Sequence, residues 1–202
     1  MTRGSVIKRW AHSRIQNLTA YAVAAAEGLI KLDAMENPYV WDRELKEAWL
    51  EELRHVSLNR YPDGQALGLA KTLRQVFEVP RPLDILLGNG SDELIQMVSM
   101  TVGGPGRTML APEPSFSMYR VIAAITGSDY VATSRNHDFS IDTDALLDAI
   151  DKHDPCCVFL ANPNNPTGTY LTKKELLDLR KKLDKNILLV VDDAYAEYMK
   201  NK

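Results

Sequence analysis

The sequence predicts an α/β protein with a mainly parallel sheet. Short apolar runs alternate along the chain with longer stretches in which apolar residues recur at helical spacing, a pattern typical of βαβ units. Two of the runs, Cys156 to Leu160 and Ile187 to Val191, lead directly into polar loop residues. Because α/β proteins bind ligands beyond the carboxyl ends of their strands, these two loops are the first candidates for a functional site.

Local patterns of apolar residues predict the individual strands and helices. Strands are predicted for the apolar runs at 83–87, 108–111, 130–133, 156–160 and 187–191. Helices are predicted where apolar stripes occur, at 41–56, 69–77, 91–102, 116–126, 142–151 and 172–183. Pro62-Asp63-Gly64 indicates a turn between the first two helices, and Thr172 with Glu175 forms a capping-box pattern at the start of the last one. Residues 1–30 are predicted to form a mostly irregular arm with one helical turn.

Composition narrows the class of partner. The 202 residues are 45% hydrophobic and 25% charged, which is ordinary for a soluble domain with its own core. A net charge of -3 and a pI near 5.8 give no electrostatic basis for binding nucleic acid or an anionic membrane. The apolar stretch at 21–26 is too short to cross a membrane. A small-molecule partner is therefore expected, with no nucleic acid and no membrane.

The cysteines and histidines do not indicate a disulfide or a metal site. Cys156 and Cys157 are adjacent in a predicted strand, where successive side chains point to opposite faces, so we interpret them as small buried hydrophobes. Free cysteines fit a reducing cytoplasm. The four histidines are scattered without ligand spacing, and no metal is predicted.

A third polar segment lies at 88–93, where a predicted strand gives way to a helix. Its glycines allow a close approach of the backbone, and the free N–H groups at a helix start can face an anion. On its own the segment also fits a plain helix start, with Ser91 as the N-cap and with Asp92 and Glu93 complementing the helix dipole.

Six segments, in order, resemble the pyridoxal-phosphate (PLP) enzymes of fold type I, and among them the histidinol-phosphate aminotransferases. They lie at 31–39, 60–64, 88–93, 111–116, 162–168 and 192–195. The resemblance implies the large domain of that fold, a mainly parallel sheet with helices on both faces. It divides the chain into an N-terminal arm, residues 1–40, and an incomplete PLP-binding domain, residues 41–202.

The resemblance also implies which residues contact the cofactor. Gly90, Ser91 and Asp92 match the turn that binds the PLP phosphate, mainly through backbone N–H groups. Phe116 matches an aromatic ring that stacks on the pyridine, although a core aromatic at a helix start is the alternative interpretation.

The two loops after the apolar runs supply the remaining contacts. Asn165 and Tyr195 match the family residues that donate to the ring oxygen. An amide such as that of Asn165 can donate to a phenolate at any pH. Asp192 matches the carboxylate that keeps the pyridine nitrogen protonated, so that the ring can accept electrons from the substrate α-carbon. Asn162 and Asn164 are interpreted as turn-forming residues, and Asp193 as a solvated or capping carboxylate.

The resemblance implies roles for two further residues nearer the N-terminus. Tyr61 matches a tyrosine that reaches the phosphate in the other subunit's site, which implies a homodimer. Asn37 matches a substrate contact, and Met35 departs from the asparagine that is commoner at its position.

By this resemblance the function is PLP-dependent transamination of histidinol phosphate with 2-oxoglutarate in histidine biosynthesis. The family's Schiff-base lysine lies further along than Asp192 and beyond another strand, and the small C-terminal domain follows it. We therefore expect no catalytic residue in this chain and no activity from it alone. The alternatives are another aminotransferase, an enzyme like threonine-phosphate decarboxylase, or a non-catalytic truncated remnant.

The family's strand order adds a structural expectation. In that order, two later strands separate the strand at 83–87 from the others. We therefore expect 83–87 to lack a neighbour and the strand at 187–191 to expose an apolar edge of the kind that recruits other chains. Poor solubility or partial unfolding of the chain alone is predicted, which a sharp, cooperative thermal transition of the isolated monomer would contradict.

Overall fold

The computed structural model describes residues 8–19, 25, 27–31 and 36–199. This part of the chain forms two compact units, one within residues 19–85 and the other made of the remaining described residues. The expected departure at Met35 lies outside the described residues. The predicted boundary between an arm and a domain near residue 40 stays a prediction.

A four-stranded parallel sheet forms the centre of the larger unit. Its strands, in chain order, are β1 (Thr108–Glu113), β2 (Asp129–Ser134), β3 (Cys157–Ala161) and β4 (Leu188–Asp192), and their order across the sheet is β2-β1-β3-β4. The β3–β4 register pairs Cys157 with Leu188 and Ala161 with Asp192. The ends of these two strands therefore lie side by side, which brings the loops that follow them together.

Helices alternate with the strands, as predicted. They are α1 (Ser13–Gln16), α2 (Arg43–Arg54), α3 (Leu67–Val76), α4 (Gly90–Val102), α5 (Met118–Thr126), α6 (Thr143–His153) and α7 (Lys173–Lys182), followed by a 3-10 turn (Ala196–Tyr198). Thr172 and Glu175 form the predicted capping box at the start of α7. The predicted α/β class is confirmed.

Alternating side chains of the strands build two cores, one on each face of the sheet. On one face Met109 of β1 and Phe159 of β3 pack with residues of α4 and α5, and on the other Leu110 and Leu160 pack with residues of α6 and α7. All five residues of β3 are buried, as the continuous apolar run predicts. The sheet is thus covered by helices on both faces.

The strand predicted at 83–87 is wrong, because these residues form no regular secondary structure. A strand is stabilised when its N–H and C=O groups pair with a neighbouring strand, and the described part of the chain provides none there. The Leu83 carbonyl instead accepts a hydrogen bond from the Arg74 guanidinium at 2.6 Å. The described residues thus contain neither the strand nor a neighbour for it.

β4 is an edge strand within the described chain. Its inner edge pairs with β3, and no strand in the described ranges pairs with its outer edge. Leu188 at its start is 40% exposed. The expected bare apolar edge is confirmed, whereas the predicted poor solubility stays a prediction.

The unit within residues 19–85 contains α2 and α3. Asp42 caps α2 by accepting from Leu45 N at 2.8 Å, and the Asp63 carboxylate accepts from two backbone N–H groups at the predicted turn. Those two bonds lower the pKa of Asp63. The apolar stripe of α2 is only half covered, since Leu45, Trp49 and Leu53 are 43–49% exposed.

The N-terminal segment of the larger unit contacts the rest of that unit through Arg14. Arg14 of α1 donates to the carbonyl oxygens of Gly127 and Ser128, and its guanidinium lies 3.4 Å from a carboxylate oxygen of Asp129. α1 is four residues long, and residues 8–10 are also helical, so this part contains more helix than the single turn predicted.

Candidate active site

Two loops meet beyond the carboxyl ends of β3 and β4. The Asn165 amide Nδ2 donates to the Tyr195 hydroxyl at 3.4 Å, although the residues follow different strands. An amide nitrogen has two N–H groups and a phenol has one O–H, so each side chain keeps a proton to donate to a ligand. Both are half-buried. The structure therefore pairs two residues that the sequence predicts to share one ligand atom.

Asn162 fixes the start of the first loop. Its Oδ1 accepts from Leu171 N at 2.7 Å, its Nδ2 donates to the Leu171 carbonyl at 3.3 Å, and its backbone N–H donates to the Asp192 carbonyl at 2.9 Å. The interpretation of Asn162 as a turn-forming residue is confirmed. The same bonds tie the loop to the end of β4.

Asn164 is a buried hub of the edge of the sheet. Its Oδ1 accepts from the Ser115 hydroxyl at 2.7 Å and from Arg135 Nη2 at 2.9 Å, while its Nδ2 donates to the Pro114 carbonyl at 3.1 Å and to Thr167 Oγ1 at 2.7 Å. With only 1% of its surface exposed, Asn164 has all its polar groups paired. It forms a turn, as expected, and also joins three loops. The peptide bonds before Pro114, Pro163 and Pro166 are cis.

The Asp192 carboxylate is held from two sides. Its Oδ2 accepts from the Tyr119 hydroxyl at 2.8 Å, and its Oδ1 accepts from Ala194 N at 3.1 Å. A carboxylate offers about four acceptor positions, so two donors leave capacity for a further N–H. Asp192 is half-exposed at the strand end and can therefore meet a ligand.

Three aromatic side chains pack together, and one of them contacts the Asp192 carboxylate. Tyr119 is fully buried, stacks on Phe159 at 4.9 Å between centroids and 10° between planes, and meets the Phe116 ring edge-on at 5.7 Å and 87°. Phe116 is half-buried and packs against the core. Its contact with Tyr119 fits the interpretation as a core aromatic, and its stacking on a cofactor ring stays a prediction.

The start of α4 differs from the predicted plain helix cap in its N-cap residue and in the backbone conformation of Gly90. Gly90 has φ +79°, a left-handed conformation that favours glycine, and the helix begins there. The N-cap is Asn89, so the alternative assignment of Ser91 as N-cap is wrong. The Glu93 carboxylate accepts hydrogen bonds from the backbone N–H and from the side-chain amide of Asn89. It is thereby bound to the N-cap residue of its own helix.

A cavity of about 530 Å³ connects the start of α4 with the end of β4. Gly90 and Ser91 line it from the helix, and Asp192, Asp193 and Ala194 from the strand end. This volume lies in the usual range of small-ligand sites. The structure thus brings the predicted anion-binding turn to the same space as the predicted carboxylate.

The site has a negative electrostatic field. Burial raises the pKa of Asp92, and the charge of Asp192 adds to the rise. The same two causes raise the pKa of Asp193, which is an exposed residue as expected. Asp92 and Asp193 are therefore each repelled by Asp192, and a cationic group would relieve the repulsion.

Tyr61 and Asn37 lie in the unit within residues 19–85. The Tyr61 side chain is fully exposed. Asn37 is exposed, and its Oδ1 accepts from Tyr39 N at 3.0 Å in a local turn. Their predicted contacts with cofactor and substrate stay predictions.

Sequence reasoning missed two contributors, Tyr119 and Arg135. A tyrosine on the apolar face of a helix signals a buried hydroxyl that needs a partner, and Tyr119 stands one helical turn after Phe116. Arg135 directly follows β2 at the carboxyl edge of the sheet, where charged residues often serve a site. It donates to two carbonyl oxygens in addition to Asn164.

Within the described ranges, no helix is long and apolar enough to cross a membrane. Those same residues contain no group of three histidine, cysteine or acidic side chains placed to hold a metal ion.

Comparisons with known proteins find relatives over most of this chain. Residues 27–202 match the family model for aminotransferase class I and II. The chain is 51% identical over 192 residues to histidinol-phosphate aminotransferase 2 of Nitrosococcus oceani, covering 95% of this chain and 53% of the relative. It is 49% identical over 164 residues to the histidinol-phosphate aminotransferase of Thiocapsa roseopersicina, covering 81% of this chain and 87% of that sequence.

A solved structure shares the fold. The histidinol-phosphate aminotransferase of Sinorhizobium meliloti, crystallised with pyridoxal-5'-phosphate, matches with a TM-score of 0.77 and 23% identity over 94% of this chain and 53% of that one. The chain spans about half the length of the Nitrosococcus and Sinorhizobium proteins.

Proposed function

Because the chain belongs to the aminotransferase class I and II family, whose members depend on pyridoxal phosphate, we propose that it forms the cofactor-binding part of an enzyme that transaminates histidinol phosphate with 2-oxoglutarate. The observation that carries the proposal is the meeting of Asn165, Tyr195 and Asp192 beyond two adjacent strands. The names of the two bacterial relatives support the choice of histidinol phosphate.

The described side chains fit pyridoxal phosphate chemically. Asp192 offers a carboxylate for the protonated ring nitrogen, and Asn165 with Tyr195 offers N–H and O–H groups for the ring oxygen. Ser91 presents the N–H of a helix start to a phosphate in the cavity that Asp192 also lines, and Gly90, whose own N–H donates to the Gly88 carbonyl at 3.1 Å, lines the same cavity. When bound, the cofactor supplies an electron sink for the substrate α-carbon.

The protein's own residues prepare this site. Asp192 holds a proton on the ring nitrogen, and the repulsion from Asp92 and Asp193 favours a cation beside it. Asn165 is neutral, so it donates at any pH. Asn164 and Arg135 hold the loops that carry these groups, because their hydrogen bonds join 114–115, 135–139 and 164–167.

We also propose a cytoplasmic homodimer. Leu45, Trp49 and Leu53 form a half-exposed apolar stripe on α2, and contiguous exposed apolar surface marks contact sites for other proteins. Tyr61, fully exposed in this unit, would reach the phosphate of the partner's site. Asn37 would contact the substrate. The adjacent free cysteines suit a reducing compartment such as the cytoplasm.

The test is a substrate comparison with the complete protein encoded by the reading frame that contains this sequence. Histidinol phosphate, phenylalanine and threonine phosphate would each be offered with 2-oxoglutarate and with oxaloacetate. We expect the highest kcat/KM for histidinol phosphate with 2-oxoglutarate, and loss of most activity in Asp192→Asn. A higher kcat/KM for phenylalanine, or carbon dioxide release from threonine phosphate, would assign the chain to another branch of the family.

A further inference from the structure

We propose that Tyr119 is a positioning residue, whose hydroxyl holds the Asp192 carboxylate in place for the protonated ring nitrogen of the cofactor. This inference rests on the proposed function, since it concerns the same cofactor site. It adds a residue that contacts neither cofactor nor substrate and acts through Asp192.

The hydroxyl of Tyr119 is a fixed point. Its ring is fully buried, stacked on Phe159 and met edge-on by Phe116, so the side chain has no free direction in which to turn. The 2.8 Å bond to Asp192 Oδ2 therefore joins a rigid core group to a half-exposed carboxylate at the strand end. A phenol that donates to an ionised carboxylate makes a short, charge-assisted bond.

The donor and acceptor roles in this bond cannot reverse. Burial and the negative charge of Asp192 raise the pKa of Tyr119 far above its ordinary value, so the phenol keeps its proton at every physiological pH. Tyr119 and Ala194 together occupy two of the carboxylate's acceptor positions, one on each oxygen. The remaining positions stay open to an N–H of the ligand.

Repulsion between carboxylates explains why an anchor is needed. Asp92 and Asp193 both interact unfavourably with the charge of Asp192. Without the Tyr119 hydroxyl, the Ala194 N–H alone among the described donors would hold the Asp192 carboxylate against this repulsion. The Tyr119 hydroxyl opposes the repulsion and keeps the charge at the edge of the cavity.

The test compares two variants of the purified protein, each of which lacks one tyrosine hydroxyl. Tyr119→Phe removes the donor and keeps the ring. Tyr130→Phe is a matched control, because Tyr130 is also largely buried and donates to a different carboxylate, Glu113 Oε1, at 2.9 Å. The ligand is pyridoxamine 5'-phosphate labelled with ¹⁵N in its ring, whose amine cannot condense with surface lysines. Binding is measured by calorimetry and ring-nitrogen protonation by the ¹⁵N chemical shift.

We expect Tyr119→Phe to raise the Kd about tenfold, which corresponds to 1.4 kcal/mol. The ¹⁵N resonance should also move toward that of the unprotonated ring, a change that a loss of fold stability would not cause. Tyr130→Phe should leave the Kd within about twofold and the shift unchanged.

The contrary outcomes are distinct. Unchanged affinity and shift in Tyr119→Phe would overturn the inference and leave the proposed function standing. Loss of the near-ultraviolet circular dichroism in Tyr119→Phe but not in Tyr130→Phe would assign Tyr119 a packing role and also overturn it. Failure of the wild-type protein to bind the ligand would overturn the proposed function, and the inference with it.

Discussion

The side-chain amide of Asn165 lies 3.4 Å from the hydroxyl of Tyr195, across the gap between the loops that follow β3 and β4. The contact exists because the two strands are parallel neighbours in register, with Ala161 opposite Asp192. Each side chain keeps a proton to donate, so the pair forms a two-donor site for one oxygen atom. Substitutions at this pair, at the buried residues of the larger unit and at the α2 stripe test the arrangement.

Changes at Asn165 should weaken binding of pyridoxamine 5'-phosphate. Asn165→Ala removes one donor to a charged oxygen, which is worth about 1.5–3 kcal/mol, so we expect a Kd roughly ten- to a hundredfold higher. Asn165→Asp should weaken binding further, because it adds a negative charge near Asp192. Calorimetric titration measures both. Binding of Asn165→Asp as tight as wild type would contradict the two-donor site.

Loss of the Asn164 hub should destabilise the larger unit. Asn164→Ala leaves the Ser115 hydroxyl and one Arg135 N–H without their buried acceptor, and each unpaired group costs about 1–3 kcal/mol. We expect the free energy of unfolding to fall by about 2–6 kcal/mol. Urea denaturation followed by near-ultraviolet circular dichroism measures it. Asn186→Ala, at an exposed position, is the control and should change stability by less than about 0.5 kcal/mol.

Cys157 should be unreactive in the folded protein. Burial raises the pKa of its thiol to about 12, from 9.0, so the thiolate is scarce and inaccessible at neutral pH. In Cys156→Ala, where Cys157 is the remaining thiol, Ellman's reagent should react at pH 8 only after unfolding in urea. Fast reaction of this variant under native conditions would show that β3 opens.

The same raised pKa predicts a pH dependence of stability. The neutral thiol is favoured in the folded state, so its contribution is fully present below about pH 9 and is lost as the pH rises toward 12. At pH 10.5 the loss should reach about 2 kcal/mol, at 1.4 kcal/mol per pH unit. The measurement is the difference in unfolding free energy between wild type and Cys157→Ala at pH 8 and pH 10.5. A constant difference would rule the effect out.

The α2 stripe should mediate association. Trp49→Glu places a charge in the half-exposed apolar stripe and should shift the protein from dimer to monomer in sedimentation velocity experiments. Glu47→Lys, two residues earlier and so on the opposite side of the helix, is the control and should leave the dimer intact. Dissociation by both variants, or by neither, would argue against the stripe as the contact.

The sequence alone determined the features that depend on neighbouring residues. The continuous apolar run at 156–160 predicted a strand that is buried on both faces, and Thr172 with Glu175 predicted the start of α7, because a capping box is complete within four residues. The resemblance to the aminotransferases depends on short segments in order, and the family match confirms it. Asn165, Asp192 and Tyr195 were predicted as site residues in this way, and their cofactor contacts stay predictions.

Only the tertiary structure decided which distant groups meet. The Tyr119–Asp192 bond joins positions 73 residues apart, and the Asn164 bond to Ser115 joins positions 49 apart, so no local pattern reveals either. The apolar run at 83–87 has strand propensity, yet it forms no strand, and no segment among the described residues pairs with it. A strand depends on hydrogen bonds to another segment, and a buried polar side chain depends on a partner brought by the fold. Both are settled by packing rather than by local sequence.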